Sequence, residues 1–268
     1  MLECPCHPVA SSKVDSLLID IGNTRVKWAE VRAGALVSGA AFPVHSVLSD
    51  SLCASQWSHL DCPGQVWISS VAAIEVTATI EAWLLRHWHC PVHHAGSESH
   101  AFGVTNAYEY PSRLGVDRWL SLIAVRQLYS KPLCVVGCGT ALTLDAMDAE
   151  GRHQGGLIGP GLRLMHNSLA CGTVGLSNIL SATDFADALA TTPADWAVTT
   201  ANGMVTGCLE AGLGLIERAY ARFAAQYKGA CRLVLTGGDS ELMARYLSVP
   251  CQVHADLVLK GLLRYSEA

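Results

Sequence analysis

This sequence restarts halfway along, and that repetition limits its architecture more than any other feature. Leu17 to Ile21 is a short, nearly uninterrupted apolar run bounded by Gly22-Asn23-Thr24, which reads as a buried strand entering a turn. Val26 to Val31 and Ala35 to Phe42 read as second and third strands, with Ala33-Gly34 as the turn between them. Leu133 to Val136 opens the same series again. A turn at Gly137-Cys138-Gly139-Thr140, a strand over Ala141 to Met147, a turn at Asp148-Ala149-Glu150-Gly151 and a strand over His153 to Ile158 follow it. A constant offset of 117 carries Gly22 onto Gly139, Ala29 onto Ala146, Gly34 onto Gly151 and Gly39 onto Gly156. Strand falls on strand and turn on turn, as expected for two copies of one supersecondary unit, with coincidence among common residues as the alternative. Two such units facing each other would enclose a cleft, where small-molecule sites commonly lie.

The remaining periodicity predicts a strand over Val66 to Val71 and helices over Ile74 to Trp88 and Pro111 to Tyr129. A long helix is expected over Thr199 to Tyr227, whose stripe runs through Val205, Leu209, Leu213, Ile216 and Phe223. Leu233 to Leu235 reads as a strand ending at Thr236-Gly237-Gly238, and a short helix is expected from Asp256 to Tyr265. The predicted division is a loose extension over 1–13, a first domain over 14–130 and a second over 131–268.

Composition removes several classes. Half of the residues are hydrophobic and 15% are charged, so the chain has ample apolar surface to offset the entropy of ordering. A net charge of −5 argues against a general nucleic-acid binder, whose phosphate contacts need clustered Lys and Arg. No run approaches the roughly 20 apolar residues that span a bilayer, and the first residues lack a signal-peptide core, so a cytoplasmic protein without membrane contact is expected. The eleven cysteines are odd in number and several sit in apolar patterns, which reads as reduced, buried thiols. Metal readings exist for Cys4-Pro5-Cys6-His7 and for the histidines between His87 and His94. The first lacks a second ligand pair at zinc spacing, and the second spans a helix-to-strand gap that scatters its side chains.

Five stretches could carry chemistry. Asp20-Ile21-Gly22-Asn23-Thr24-Arg25-Val26-Lys27 joins a strand-end carboxylate to a tight turn and two basic groups. Asn23 and Thr24 offer donors to phosphate oxygens, Asp20 could hold Mg²⁺ directly or through water, and Lys27 could pair with phosphate. The same residues also suit an ordinary hairpin turn with a solvated charge pair. Gly137-Cys138-Gly139-Thr140-Ala141 repeats the design without the carboxylate and is neither a Walker A loop nor a dinucleotide fingerprint. Gly115-Val116-Asp117-Arg118 opens or interrupts a helix. Neighbouring helical residues point about 100° apart, so Asp117 and Arg118 are expected to be free for a ligand, the first to take a proton and the second to bind a carboxylate. The alternative is a helix-start Asp beside an exposed Arg. Gly155-Gly156-Leu157-Ile158-Gly159-Pro160-Gly161 implies close backbone approaches. Thr200 either faces a ligand or caps the long helix, and Thr236-Gly237-Gly238 lies under a nucleotide or is a plain strand-to-helix turn.

The ordered set Asp20-x-Gly22-Asn23-Thr24-x-x-Lys27, Gly115-x-Asp117-Arg118, Gly139-Thr140-Ala141-x-Thr143-x-Asp145, Gly155-Gly156-x-Ile158-x-Pro160-Gly161 and Thr236-Gly237-Gly238 resembles the type III pantothenate kinase family, which includes proteins named Bvg accessory factors. The resemblance runs from about Leu17 to Leu263. It implies a duplicated actin-like, ribonuclease H-type α/β fold with two domains around a central nucleotide cleft, usually as a homodimer. It further implies phosphorylation of pantothenate by ATP and Mg²⁺, the first step of coenzyme A synthesis. By motif match, Asp20, Gly22, Asn23, Thr24, Lys27, Gly139 and Thr140 would bind ATP and its phosphates. Tyr108, Gly115, Val116, Asp117, Arg118 and Thr200 would bind pantothenate, with Asp117 as the proton acceptor. The family commonly carries an Asp, linked to a bound monovalent cation, where this chain has Gly137, so the resemblance leaves potassium or ammonium dependence open. A non-catalytic accessory protein and another phosphotransferase on the same fold are the rival readings.

Overall fold

The computed structural model describes residues 14–44, 49–177, 179, 181–191 and 196–268. The expected extension over 1–13, with Cys4, Cys6 and His7, lies outside the described residues. Contact density divides the chain into two compact units, Met1–Ala95 with Tyr265–Ala268, and Gly96–Arg264. We keep the division at 130/131, which follows the sequence repeat, as a proposal.

In the first unit the strands are β1 (Ser16–Ile21), β2 (Arg25–Arg32), β3 (Ala35–Ser38) and β4 (Phe42–Pro43). Helix α1 (Asp50–Trp57), β5 (Gln65–Ser70), α2 (Ile74–His87) and β6 (Val92–His94) complete it. The sheet order is β3-β2-β1-β5-β6, with β1, β5 and β6 parallel and β2 antiparallel to β1. The expected third strand breaks in two because Gly39 donates to the Trp28 carbonyl, and a Cβ there would stand 2.2 Å from the Trp28 indole. The core of this unit is aromatic: Trp57 lies 5.7 Å from Phe42 and 5.6 Å from Trp83, between ring centroids.

The second unit holds the hairpin of β7 (His100–Ala101) and β8 (Val104–Thr105), then α3 (Val116–Leu128), β9 (Leu133–Cys138), β10 (Ala141–Met147) and β11 (His153–Pro160). It continues through α4 (Leu162–Gly172), α5 (Ala182–Thr191), α6 (Thr200–Gln226), β12 (Arg232–Thr236), α7 (Ser240–Tyr246), β13 (Gln252–Val253) and α8 (Leu257–Ser266), the last as far as Arg264. Its sheet runs β11-β10-β9-β12-β13, the same order and the same pattern of directions as the first. The long helix α6 buries Val205, Leu209, Leu213, Ile216 and Phe223, the expected stripe, against this sheet.

Strand pairing refines the repeat. Ile21 pairs with Val26, whereas Cys138 pairs with Leu142, so the offset of 117 holds for the first strand and drops to 116 in the second. The turns explain the lost residue. Gly22 donates to the carbonyl of Arg25, but Gly139 donates to that of Ala141. Gly34 and Gly151, in the two second turns, have φ of 75° and 83°, a left-handed region in which a Cβ is strained.

The predicted helix over Pro111 to Tyr129 is interrupted. Pro111–Arg113 forms a single 3₁₀ turn, Leu114 is extended, and α3 begins at Val116 with Gly115 as its N-cap. Every residue from Arg118 to Val125 is buried, so α3 is an interior helix rather than a surface one. Among the described residues no helix is long and apolar enough to cross a membrane.

Candidate active site

In the first unit, Asp20, the last residue but one of β1, stands directly opposite Lys27 on β2, a cross-strand pair of opposite charge. The Ser69 hydroxyl of β5 donates to Asp20 Oδ1 at 3.0 Å. Gly22 is half-buried in the turn, where a Cβ would stand 3.1 Å from the Arg25 carbonyl, and Asn23 and Thr24 are exposed. A carboxylate oxygen at a strand end beside exposed donors suits a hard cation and phosphate oxygens.

In the second unit three glycine motifs, far apart in sequence, converge. Gly161 donates to the Thr140 carbonyl at 3.0 Å, and a Cβ at 161 would stand 2.1 Å from the Gly139 oxygen. Gly237, with φ of 104°, has its Cβ direction 2.4 Å from the Cys138 carbonyl, which also accepts the Asp239 N–H at 3.1 Å. Only glycine lets these backbones meet so closely. Cys138, Gly139, Leu142, Gly161, Leu162, Asp239 and Met243 line a small hollow there. Gly139 and Thr140 are exposed.

The Gly-x-Asp-Arg motif opens α3. Gly115 has a steric reason: a Cβ there would stand 2.7 Å from Asp117 Oδ1. Asp117 is half-buried in the first helical turn, and its Oδ1 accepts the Arg118 backbone N–H at 2.9 Å. Burial is the largest influence on this carboxyl and raises its pKa despite the helix N–H groups and Arg118.

Arg118 corrects the expectation that it is free. It is 6% exposed, and its Nε and Nη2 donate to Asp145 Oδ2 and Oδ1 at 2.8 and 2.6 Å. Its Nη1 donates to the Tyr108 hydroxyl at 2.9 Å. Burial alone would lower the guanidinium pKa, but the hydrogen bonds and charge of Asp145, with Tyr108, raise it. Gly156 makes room for the pair, since a Cβ there would stand 2.4 Å from both Arg118 Nη2 and Asp145 Oδ1. Sequence reasoning missed the partners. Asp145 was visible as a motif residue without an assigned role and as an acid inside an otherwise apolar strand, which signals a buried counter-ion, and His153 only as the first residue of β11.

Thr199, not Thr200, caps α6, its Oγ1 accepting the Asn202 N–H at 3.2 Å, and this leaves the exposed Thr200 hydroxyl outside the cap. Val116 is half-buried at the first position of α3. The histidines between His87 and His94 disperse: His87 stacks on Trp83, His93 stacks on Trp67, and His94 meets Glu81 at 3.0 Å. No cluster of three or more metal-ligating residues occurs among the described residues. The cysteines are only partly as expected: Cys53, Cys134, Cys138 and Cys208 are buried, while Cys62 and Cys171 are exposed, and all of these are free. Burial pushes Cys134 and Cys138 up to about 12, which keeps them as thiols.

Two sheets of one order, each with a glycine turn after its first strand, define the class of actin-like, ribonuclease H-type proteins. Solved structures agree on the fold. A Baf-family protein from Campylobacter jejuni gives a TM-score of 0.58 at 17% identity, covering 94% of this chain and 97% of that one. A ROK-family glucokinase from Streptomyces griseus gives 0.52 at 12%, covering 94% and 99%. A profile described as type III pantothenate kinase matches residues 16–222. Proteins of that name from Nitrosococcus oceani and Burkholderia thailandensis are 34% and 40% identical to this chain. They cover 94% and 92% of it, and 93% and 95% of their own lengths. The chain belongs to the type III pantothenate kinase family.

Proposed function

We propose that this chain transfers the terminal phosphoryl group of ATP to the primary hydroxyl of pantothenate, the first step of coenzyme A synthesis. The observation that carries the reading is Asp117, a half-buried carboxyl at the start of α3, cleared by Gly115 and raised in pKa by burial. A general base works best when its pKa is shifted toward the operating pH, and a positioned one typically contributes about 10²–10⁴-fold. Asp117 would take the proton of the attacking hydroxyl. Tyr108, Gly115, Val116, Arg118 and Thr200 are the proposed surroundings of pantothenate.

The Asp20 to Lys27 turn of the first unit and the Gly139-Thr140 turn of the second are each proposed to bind ATP, through Gly22, Asn23, Thr24 and Lys27 and through exposed backbone at Gly139 and Thr140. Asp20 would hold Mg²⁺, directly or through water, and the ion supplies charge neutralisation on the transferring phosphate. Phosphoryl transfer relies mainly on positioning and electrostatics, so a short roster of groups suffices. ATP as donor supports a cytoplasmic location.

The chain lacks the carboxylate that the family resemblance links to a monovalent cation. Gly137 has no side chain, and a Cβ there would meet Thr143 Oγ1 at 2.5 Å, so this position supplies no carboxylate to an ion. The test is isotope transfer from γ-labelled ATP, with the purified chain and Mg²⁺, in potassium, ammonium and choline buffers. Label should reach pantothenate at one rate in all three, and sugars should stay unlabelled. No transfer to pantothenate would sink the kinase reading in favour of an accessory protein. Strong activation by potassium would overturn the expectation of one rate in all three buffers.

We also propose a homodimer, supported by the exposed apolar side chains of Ile158 on β11 and Leu164 on α4. Sedimentation velocity should give twice the 28.5 kDa chain mass, and a monomer at micromolar concentration would remove the proposal.

A further inference from the structure

Four side chains of the second unit form one chain of hydrogen bonds that ends on Tyr108. At its base, His153 Nε2 lies 2.9 Å from Asp145 Oδ1, with the His153 side chain fully buried. The Ala107 backbone N–H donates to His153 Nδ1 at 3.5 Å, which selects the tautomer with hydrogen on Nε2, so His153 donates to Asp145. Asp145 therefore accepts three hydrogen bonds, two from Arg118 and one from His153. Arg118 in turn donates to the Tyr108 oxygen. A phenol that accepts from a guanidinium directs its own O–H elsewhere, and that hydrogen is the donor at the end of the chain of hydrogen bonds.

The position of Tyr108 is tightly specified. Its ring stacks on His153 at 6.0 Å and 15°, and the Arg118 guanidinium lies 5.6 Å from its centroid. Its backbone N–H is held by Asn106 Oδ1 at 3.0 Å, and Asn106 Nδ2 is tied to the carbonyls of Glu98 and Pro111. A buried ion pair is a weak source of stability, because apolar replacements of similar volume are often neutral or better. Three buried groups linked in series to one hydroxyl are better explained by what that hydroxyl does.

We propose that Asp145 and His153 are positioning residues for the acceptor substrate, acting through Arg118 to aim the Tyr108 O–H at an anionic or carbonyl oxygen of that substrate. Arg118 then serves the substrate chiefly by orienting Tyr108. The inference rests on the kinase reading and on Tyr108 as a substrate contact.

A double-mutant cycle tests it, with kcat and both KM values measured on folded, full-length protein. Tyr108→Phe should raise KM for pantothenate by about tenfold, the effect of losing one hydrogen bond to a charged group, and leave KM for ATP unchanged. His153→Phe, which keeps a ring against Tyr108 but removes the donor to Asp145, should move the same constant in the same direction. His153→Gln, which restores a donor, should reverse it. In the Tyr108→Phe background, His153→Phe should add nothing. Should His153→Phe fail to fold, Asp145→Asn read in the same cycle decides. An equal rise in both KM values, no effect of His153→Phe, or full additivity with Tyr108→Phe would overturn the proposal while wild-type turnover stands. Absence of wild-type turnover on pantothenate sinks the kinase reading, and this inference with it.

Discussion

Asp117→Asn protein will fold and melt no lower than wild type, yet phosphorylate pantothenate about 10²–10⁴-fold more slowly, the usual contribution of a positioned base. The stability half follows from the sign of the pKa shift. Burial raises the carboxyl in the folded state, so in the window between the unfolded and folded values the folded protein binds more protons. Stability from this group is then fully present below the unfolded pKa and is lost as pH rises through the folded one. Above its folded pKa the ionised, half-buried Asp117 is a net cost. Asn, uncharged and of the same shape, removes that cost and keeps an oxygen for the Arg118 N–H. The same shift predicts that kcat/KM falls on the acid side at a pH above the ordinary Asp range, and that this limb disappears in the residual activity of the variant. Thermal melts and a pH–rate profile check both. Full turnover by Asp117→Asn would remove Asp117 as the proton acceptor.

Arg118→Ala should do the opposite to the fold. Asp145, 3% exposed, would keep its hydrogen bond from His153 but lose both bonds from the guanidinium. Breaking one side of a buried ion pair typically costs about 3–5 kcal/mol, because the surviving charge stays buried without its counter-ion. For a chain of this size that corresponds to a fall in Tm on the order of 10 °C. Activity at a temperature where the variant is folded should show a raised KM for pantothenate with that for ATP unchanged. Replacing both partners, Arg118→Met with Asp145→Leu, should recover most of the stability and none of the lost affinity. A melt of Arg118→Ala within a degree or two of wild type would mean that the pair is not closed in solution.

The contrast between these neighbours shows how far the residues alone could be read. Asp117 was legible because its setting is local. The glycine two residues before it, the helix start and the backbone N–H it takes all lie within one helical turn. Arg118 was misread from the same four residues. The angle between adjacent helical side chains says that Asp117 and Arg118 diverge, but not what Arg118 diverges toward. Thr200 illustrates the same limit on a smaller scale, since a Thr-Thr pair at a helix start does not reveal which hydroxyl caps it.

The alternation of apolar runs and glycine turns was sufficient to define two copies of one meander, the stripe of α6 and the motif order of the family, because these signals span only a few residues each. Tertiary structure alone decided that Gly139, Gly161 and Gly237 meet, that the second copy is one residue shorter in its first turn, and that Arg118 is closed between Asp145 and Tyr108. The physical reason is that Asp145 stands 27 residues from Arg118, on a strand whose neighbours are set by sheet order. A buried charge takes as its partner whatever that order brings within reach.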